Sequence, residues 1–414
     1  MMEGVHAATS ALLARVTQGL EPSTRKTVLL SAIGWPKEVE AAFFAGGANE
    51  LPQVTYNVDR EGARERIAQL TALEQSIDAS DDVGRWLRAS VHSFIDGNRM
   101  LLAVGTRDFY LLSRELYGSA RDEFAGASAR HLDLAEHVLG RLQTTREAEP
   151  EPLTLDAPAF AERLRARLSQ RRPPLAIEVV VDDHLIARVQ AGMSRVRIRS
   201  DARFAEEDID NLWSHEIETH ALTAHNGAAQ AQAPFLRAGG PRSTRTQEGL
   251  ATFAELYDHD LSIERMRQLA ERVKMVDMAE EGADFVELYR FALAHHKSPR
   301  EAFLDAQRIC RGGLTSGGAP FTKDLVYLSG LMEAYTFLSV MVRGDERDKA
   351  EMAVAGRIAF EDIPTLYALQ REGVLHKPLY LPRWLAHWRG LLPYFALTSF
   401  LTEFNLDEVA RRFR

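Results

Sequence analysis

The sequence predicts an α+β protein that is mostly helical, with a small antiparallel sheet followed directly by a histidine-containing helix. Apolar residues recur at three- and four-residue steps in 60–77 and 83–105, which is typical of amphipathic helices. The chain after residue 244 reads as nearly all helix, with an interruption at 311–320. Three short β-branched or alternating runs lie between residues 176 and 200 and predict the sheet.

The three strands of this sheet are expected in chain order. Residues 176–181 (AIEVVV) form a β-branched run, and 184–192 follows a two-residue turn at Asp182–Asp183. Residues 195–200 (RVRIRS) alternate strictly, with apolar side chains on one face and three arginines on the other. Short strands that follow one another in this way predict antiparallel pairing.

A Pro- and Glu-rich segment at 146–158 lacks helical periodicity and is the candidate linker. It separates an N-terminal helical region, 1–145, from a C-terminal region, 159–414. One further short strand is expected at 53–58. The second region is expected to contain the sheet at 176–200, the histidine-containing helix at 205–226, an irregular loop at 228–245 and helices at 245–414.

Composition and charge exclude several classes of function. The chain has 414 residues, of which 45% are apolar and 26% charged, and a formal net charge of −9. A broad basic surface for nucleic acid is therefore not expected. Cys310 is the single cysteine, which excludes an intrachain disulfide and a cysteine-based zinc site. We find neither a signal-peptide pattern nor a window long enough to span a membrane, and we expect a soluble cytoplasmic protein without a membrane partner.

Residues 212–227 (LWSHEIETHALTAHNG) nearly match the zinc-protease signature H-E-x-x-H. His215, Glu216 and His220 read H-E-x-x-x-H, with the second histidine one residue late. Residues of an α-helix are about 100° apart, so a five-residue pair is about 140° apart and does not converge on one ion. A π-type turn would bring both imidazoles to one face. The alternative is a polar helix face with ordinary histidines, and we expect His225 at the helix end to be an ordinary histidine.

Glu248, in the segment 243–251 (STRTQEGLA), is the candidate third ligand. A catalytic zinc ion needs three protein ligands and an open position for water. Thr244 and Gln247 match a capping box, which predicts Glu248 in the first turn of a new helix. Gly249 removes a side chain where helix, ligand and substrate would crowd together. Taken alone, Glu248 fits better as a residue that stabilises the helix dipole.

Three segments together resemble one known family. They are HEIETH at 215–220, TQEGLA at 246–251 and GGAPFTKDLVYLSGL at 317–331. They resemble the domain-of-unknown-function family that includes the microtubule-associated tyrosine carboxypeptidases, and in particular its bacterial branch, labelled "flavohemoglobin expression-modulating QEGLA motif". The resemblance extends from about residue 50 to near the C-terminus.

This resemblance implies a zincin-like metallopeptidase core with one zinc ion per chain. His215, His220 and Glu248 match the zinc ligands, and Glu216 matches the catalytic glutamate that takes a proton from zinc-bound water. A carboxypeptidase that acts on the C-terminus of a peptide or protein is implied. Tubulin specificity is not carried over, and the branch label implies no chemistry.

A carboxypeptidase must hold the terminal carboxylate of its substrate with a fixed cation or several donors. Thr322 is expected to cap a helix that begins at Lys323, whose exposed amides and ammonium group would form an anion site. The substrate-binding candidates are Lys323, Arg311, Arg245 and Tyr327. Three alternatives stay open: an endopeptidase, a non-catalytic zinc-containing regulatory binding protein, and a metal-dependent amidohydrolase that acts on a small molecule.

Overall fold

Helices make up most of the protein and the strands form two small sheets, which confirms the mostly helical α+β class. The structure is a computed structural model that describes residues 2–24, 29–142, 152–183, 185, 188–295 and 298–401. The strands are β1 (Leu155–Asp156), β2 (Glu178–Asp182), β3 (Val189–Ala191), β4 (Arg195–Arg199) and β5 (Arg203–Phe204).

The first third of the chain is helical. Its helices within the described ranges are α1 (Met2–Thr24), α2 (Leu29–Ala32), α3 (Lys37–Ala45), α4 (Arg60–Gln75), α5 (Asp82–Ala103), α6 (Arg107–Tyr117) and α7 (His131–Leu142). The strand expected at 53–58 does not form. The Tyr56 hydroxyl in this segment instead accepts hydrogen bonds from Trp35 Nε1 (2.9 Å) and from the Gly312 backbone N–H (2.8 Å). Side-chain contacts, rather than a neighbouring strand, therefore hold this extended stretch.

Residues 146–151 of the predicted linker lie outside the described residues, whereas its C-terminal part is structured. Strand β1 pairs antiparallel with β5. Helix α8 (Ala157–Gln170) begins directly after β1. The Asp156 carboxylate caps this helix by accepting a hydrogen bond from the Ala159 N–H at 2.9 Å.

The three-stranded sheet is mixed, so the expectation of antiparallel pairing is wrong for one of its two strand pairs. Its order is β2–β4–β3, with β2 parallel and β3 antiparallel to β4. Asp182–Asp183 therefore does not connect a hairpin. Arg195 donates to Glu178 at 2.7 Å and Arg197 donates to Asp182 at 2.8 Å. The parallel register thus places the acids of β2 beside the arginines of β4, and such cross-strand pairs favour it.

A small hydrophobic core lies under this sheet. Val196 and Ile198 are fully buried, which confirms the alternation predicted for β4. They pack in one cluster with the aromatic rings of α8 and β5, and with Trp213 and Ile217 from the histidine-containing helix. That helix is therefore fixed to the sheet along one side.

The rest of the chain is almost entirely helical and contributes most of a second, larger core. Its helices in the described part of the chain are α9 (Glu207–Leu212), a π-helix (Trp213–Ala221), α10 (Leu222–Ala228), α11 (Thr244–Tyr257), α12 (Ile263–Glu280), α13 (Phe285–His295), α14 (Pro299–Cys310), α15 (Leu325–Arg343), α16 (Arg347–Glu351), α17 (Ile363–Arg371), α18 (Arg383–Ala386) and α19 (Trp388–Leu401). The helix expected at 205–226 thus runs from Glu207 to Ala228, in three consecutive pieces.

Helix α15 and the short turn before it, Thr322–Arg343, form the one described helix that is long and apolar enough to cross a membrane. The expectation that no window reaches this length is therefore wrong. Half of its most apolar window is buried inside the protein. The burial gives a physical reason for the composition, because a helix packed on several sides in a core is apolar around most of its circumference.

Helices α11 and α15 cross backbone to backbone at a pair of glycines. A Cβ atom built on Gly249 would lie 2.2 Å from the carbonyl oxygen of Gly330, and one on Gly330 would lie 2.4 Å from the carbonyl oxygen of Arg245. Only glycine leaves room for this approach. The crossing holds residues 248 and 323–327 close to each other.

We predict that Gly249→Ala lowers the free energy of unfolding by about 1–3 kcal/mol, because the new methyl group overlaps a backbone atom that cannot rotate away. Gly140 in α7 is the matched control, since a Cβ atom there meets nothing within 4 Å. Gly140→Ala should leave stability unchanged or raise it by up to ~1 kcal/mol. Urea denaturation measures both variants. An unchanged midpoint for Gly249→Ala would mean that α11 and α15 separate without cost.

Candidate active site

The helix that carries the histidine motif has π geometry over Trp213–Ala221, between α9 and α10. The five-residue spacing of the two histidines requires such a departure from α geometry. The Thr219 hydroxyl donates to the carbonyl of Ser214, five residues earlier, at 3.0 Å. The π turn therefore turns His215 and His220 towards each other.

The donor atoms of His215, His220 and Glu248 form a compact triangle. The two Nε2 atoms are 3.2 Å apart, and each lies 3.5 Å from Glu248 Oε2. Zinc–ligand distances of ~2.0–2.1 Å correspond to an edge of about 3.3–3.4 Å in a tetrahedron. Two imidazoles and one carboxylate also match the donor types of catalytic zinc sites. The three residues therefore fit three corners of a tetrahedral site with the fourth corner open.

Glu248 reaches this triangle from the second turn of α11, and the capping box expected at the start of that helix does not form. Ser243 is the N-cap residue and no side chain caps the helix. Thr244 is already inside the helix. Gln247 is buried, and its Oε1 accepts a hydrogen bond from the Thr223 hydroxyl at 2.8 Å. Its amide is therefore used to join α11 to α10 instead of closing its own helix terminus.

Two further side chains orient the candidate ligands. His215 Nδ1 donates to Glu255 Oε1, which directs Nε2 towards the triangle. Lys323 Nζ donates to Glu248 Oε1 at 3.0 Å, which leaves Oε2 facing the histidines. The sequence contains a signal for Glu255, because it follows Glu248 by two helical turns and shares its face of α11.

The buried charges of this cluster stabilise one another. Burial alone would lower the pKa of His215, but its hydrogen bonds to Glu248 and Glu255 raise that pKa well above the ordinary value. Burial alone would raise the pKa of Glu248, but Lys323 and the two histidines hold that pKa well below its usual range. Glu248 is therefore a carboxylate, which is the form that can bind a metal ion, and a bound metal ion would take the place of the proton on His215 Nε2.

A cleft of about 390 Å³ opens next to the triangle. His215, Glu216, Glu255 and Tyr327 are among the residues that line it. The Tyr327 ring stacks against the His215 ring with a centroid separation of 6.5 Å. The candidate general base and one candidate ligand therefore face a space in which a peptide can lie.

A half-buried arginine next to His220 has no signal in the sequence. Arg357 Nη2 donates to the carbonyl of His220 at 3.4 Å. Burial lowers the pKa of Arg357, and the attraction of Glu216 and Glu248 offsets part of that effect. No motif in the sequence marks this residue, because it comes from the segment between α16 and α17.

The predicted substrate-binding residues lie in different places. Tyr327 lines the cleft, and Lys323 contacts Glu248. Arg245 Nη2 instead donates to the carbonyl of Tyr117 at 3.0 Å. Arg311 packs over the Phe321 ring at 5.8 Å. The structure brings two of these four residues to the candidate site and does not bring Arg245 or Arg311 to the cleft.

The anion site expected at an exposed helix start does not form. Thr322 is fully buried and its hydroxyl donates to the carbonyl of Ser113 at 3.0 Å, so it caps no helix. Lys323 is also buried, and a short 3₁₀ turn precedes α15. His225, expected to be an ordinary histidine, hydrogen-bonds through Nε2 to the carbonyl of Met193 at 2.9 Å and lies outside the triangle.

These features define a class of helical α+β proteins in which a His–His–Glu triangle adjoins an open cleft. The model of the family "microtubule-associated tyrosine carboxypeptidase" matches residues 41–403, and the chain belongs to this family. Membership implies a carboxypeptidase-like activity, and with it a protein substrate engaged at its C-terminus. A comparison with curated proteins gave no match. Assignment to the QEGLA branch stays a prediction.

We predict that His220→Ala loses zinc during dialysis against a mild chelator, because two remaining ligands form an incomplete shell. His225→Ala is the matched control, since it removes a histidine from the same helix but outside the triangle. Elemental analysis of both variants gives the zinc content per chain. Full zinc occupancy in His220→Ala would contradict the ligand assignment.

Proposed function

We propose that this protein is a zinc-dependent metallopeptidase that removes residues from the C-terminus of a protein or peptide, with one zinc ion per chain. The observation that carries the proposal is the triangle of three donor atoms with Glu216 beside it in the cleft. Family membership supports the carboxypeptidase class. When bound, a zinc ion would polarise the carbonyl group of the substrate and lower the pKa of a water molecule.

The residues of this chain would then have separate roles in the reaction. Glu216, next to His215 in the chain and exposed to the cleft, accepts the proton of the attacking water and passes it to the leaving amine. Glu255 holds the His215 ring, and Lys323 holds the Glu248 carboxylate. Tyr327 places a phenol in the cleft, where it is a candidate donor to the oxyanion.

The position of Glu216 favours this proposal over the non-catalytic alternative. A structural metal site has no use for a carboxylate that faces open space beside its ligands. The lining of the cleft extends from α8 and the sheet to α15, beside the triangle. No feature of the described residues favours a small-molecule amidohydrolase.

We predict that Glu216→Gln keeps its zinc but loses turnover by about 10²- to 10⁴-fold, since the amide retains the shape and cannot accept a proton. The assay is a peptide library with free carboxyl termini, in which mass spectrometry detects products shortened at that end. Zinc content is measured on the same samples. Unchanged turnover would remove Glu216 from the mechanism, and loss of zinc would make it a structural residue.

A further inference from the structure

The wall of the cleft formed by α12 and α14 is strongly cationic. Arg265 and Arg272 from α12 and Arg308 from α14 line the cleft together with His215 and Glu216. No local pattern in the sequence indicates this grouping, because the two helices are brought together only by tertiary packing. Three guanidinium groups close together repel one another, so they require either an anionic ligand or acids that neutralise them.

Two of the three arginines are neutralised by buried acids. Arg308 donates from Nε and Nη2 to the two carboxylate oxygens of Asp324, at 2.7 and 2.8 Å. Arg272 donates to Asp305 at 3.0 and 2.8 Å and is itself buried. Asp324 is 2% exposed and Arg308 is 29% exposed. Asp324 thus fixes the Arg308 guanidinium from behind, and the Arg308 side chain lines the cleft.

Arg265 is held much more weakly. Its Nε lies 3.7 Å from Glu255 Oε2, a long ion pair, and its Nη1 is 3.5 Å from the side-chain oxygen of Gln268. Glu255 is already hydrogen-bonded to His215 Nδ1. The Arg265 guanidinium lies over the Tyr327 ring at 5.5 Å and is 29% exposed. It therefore retains donors for a ligand, next to the residue that orients His215.

Tyr327 contacts both Arg265 and Arg308, which are half-buried. Its ring lies under Arg265, and its hydroxyl accepts a hydrogen bond from Arg308. Its other contacts are the His215 ring and Lys323, whose Nζ is 5.0 Å from the ring centroid. The pair of guanidinium groups is thus held in fixed relation to the His–His–Glu triangle.

We propose that Arg265 and Arg308 bind the terminal carboxylate of the substrate, which makes the cleft selective for free C-termini. The inference rests on the proposed peptidase function. In a peptide, the terminal carboxylate carbon lies roughly 3–4 Å from the carbonyl carbon of the last peptide bond. A carboxylate receptor must therefore share one cleft with the candidate catalytic residues. Arg265 and Arg308 meet this condition, whereas Arg245 and Arg311 do not line the cleft.

The chemistry of the pair suits a carboxylate. A guanidinium presents donors in a plane that match two carboxylate oxygens, and charge-assisted hydrogen bonds of this kind are the strong ones. Lys323 is a poor candidate for the same task because its ammonium group is buried against Glu248. Arg188, on the sheet side of the cleft, is paired with Asp208.

Binding in the absence of turnover tests the proposal directly. The Glu216→Gln protein, loaded with zinc and immobilised, is exposed to a peptide library randomised at its last positions, in free-acid and C-terminally amidated forms. Mass spectrometry of the retained peptides gives the ratio of acid to amide. We expect the free acids to be retained at least about 10-fold more strongly. Equal retention of the two forms overturns the proposal.

Substitutions in the same background then identify the receptor. Arg265→Gln should reduce the acid-to-amide ratio about 10-fold, towards equal retention, and Arg265→Lys should restore part of it. Arg308 is tested with Arg308→Lys, because this variant keeps a cation beside the buried Asp324. A neutral substitution would leave that carboxylate unpaired. Arg300→Gln is the control, since Arg300 lies on α14 with Arg308 but pairs with Glu40 outside the cleft. An unchanged ratio in both the Arg265 and Arg308 variants overturns the assignment.

Turnover by the wild-type protein separates this proposal from the proposed function. If the protein retains free acids selectively through Arg265 but shortens no peptide, the peptidase function fails and the carboxylate site stands. The opposite outcome is that the wild-type protein shortens free acids and that both variants, Arg265→Gln and Arg308→Lys, do so with an unchanged KM. In that case the carboxylate site is wrong and the peptidase function stands. Zinc content and melting temperature of each variant identify any loss of folding.

Discussion

The candidate site depends first on one π-helical turn. His215 and His220 are five residues apart, and an α-helix would direct their side chains about 140° apart. The π geometry of Trp213–Ala221 brings their Nε2 atoms to 3.2 Å. The turn is stabilised by its surroundings, since Trp213 and Ile217 are buried in the smaller core and the Thr219 hydroxyl bonds five residues back. Everything else in the site is arranged around that pair.

Three consecutive residues of α11 each make a different contact that the site needs. Gln247 binds the Thr223 hydroxyl and sets the distance between α11 and the histidine-containing helix. Glu248 completes the triangle. Gly249 allows α15 to approach until the two backbones touch at Gly330, which brings Lys323 to the Glu248 carboxylate. The short motif QEG is thus explained by contacts with two neighbouring helices rather than by the candidate metal ligand alone.

The sequence predicted the features that depend on one helix or one strand, and it did not predict those that arise from packing between elements. Spacing along the chain predicted the π turn, and local pattern predicted the buried face of β4. The capping box failed because Gln247 found a partner on another helix, and the antiparallel sheet failed because the acids of β2 pair with the arginines of β4. Arg265 and Arg308 had no local signal, since their common cleft exists only once α12 and α14 are in place.

The histidine spacing also fixes the relation between the two cores. One end of the helix is attached to the smaller core by Trp213 and Ile217, and the other end to the larger core, where Asn226 donates to the carbonyls of Val354 and Tyr380 at 2.7 and 2.8 Å. The rotation of each end about the helix axis is thereby fixed, and the π turn accommodates the extra residue between the two histidines. In a regular α-helix, the same extra residue between the two histidines would rotate the downstream half by about 100°. The π turn therefore belongs to the packing as much as to the candidate metal site.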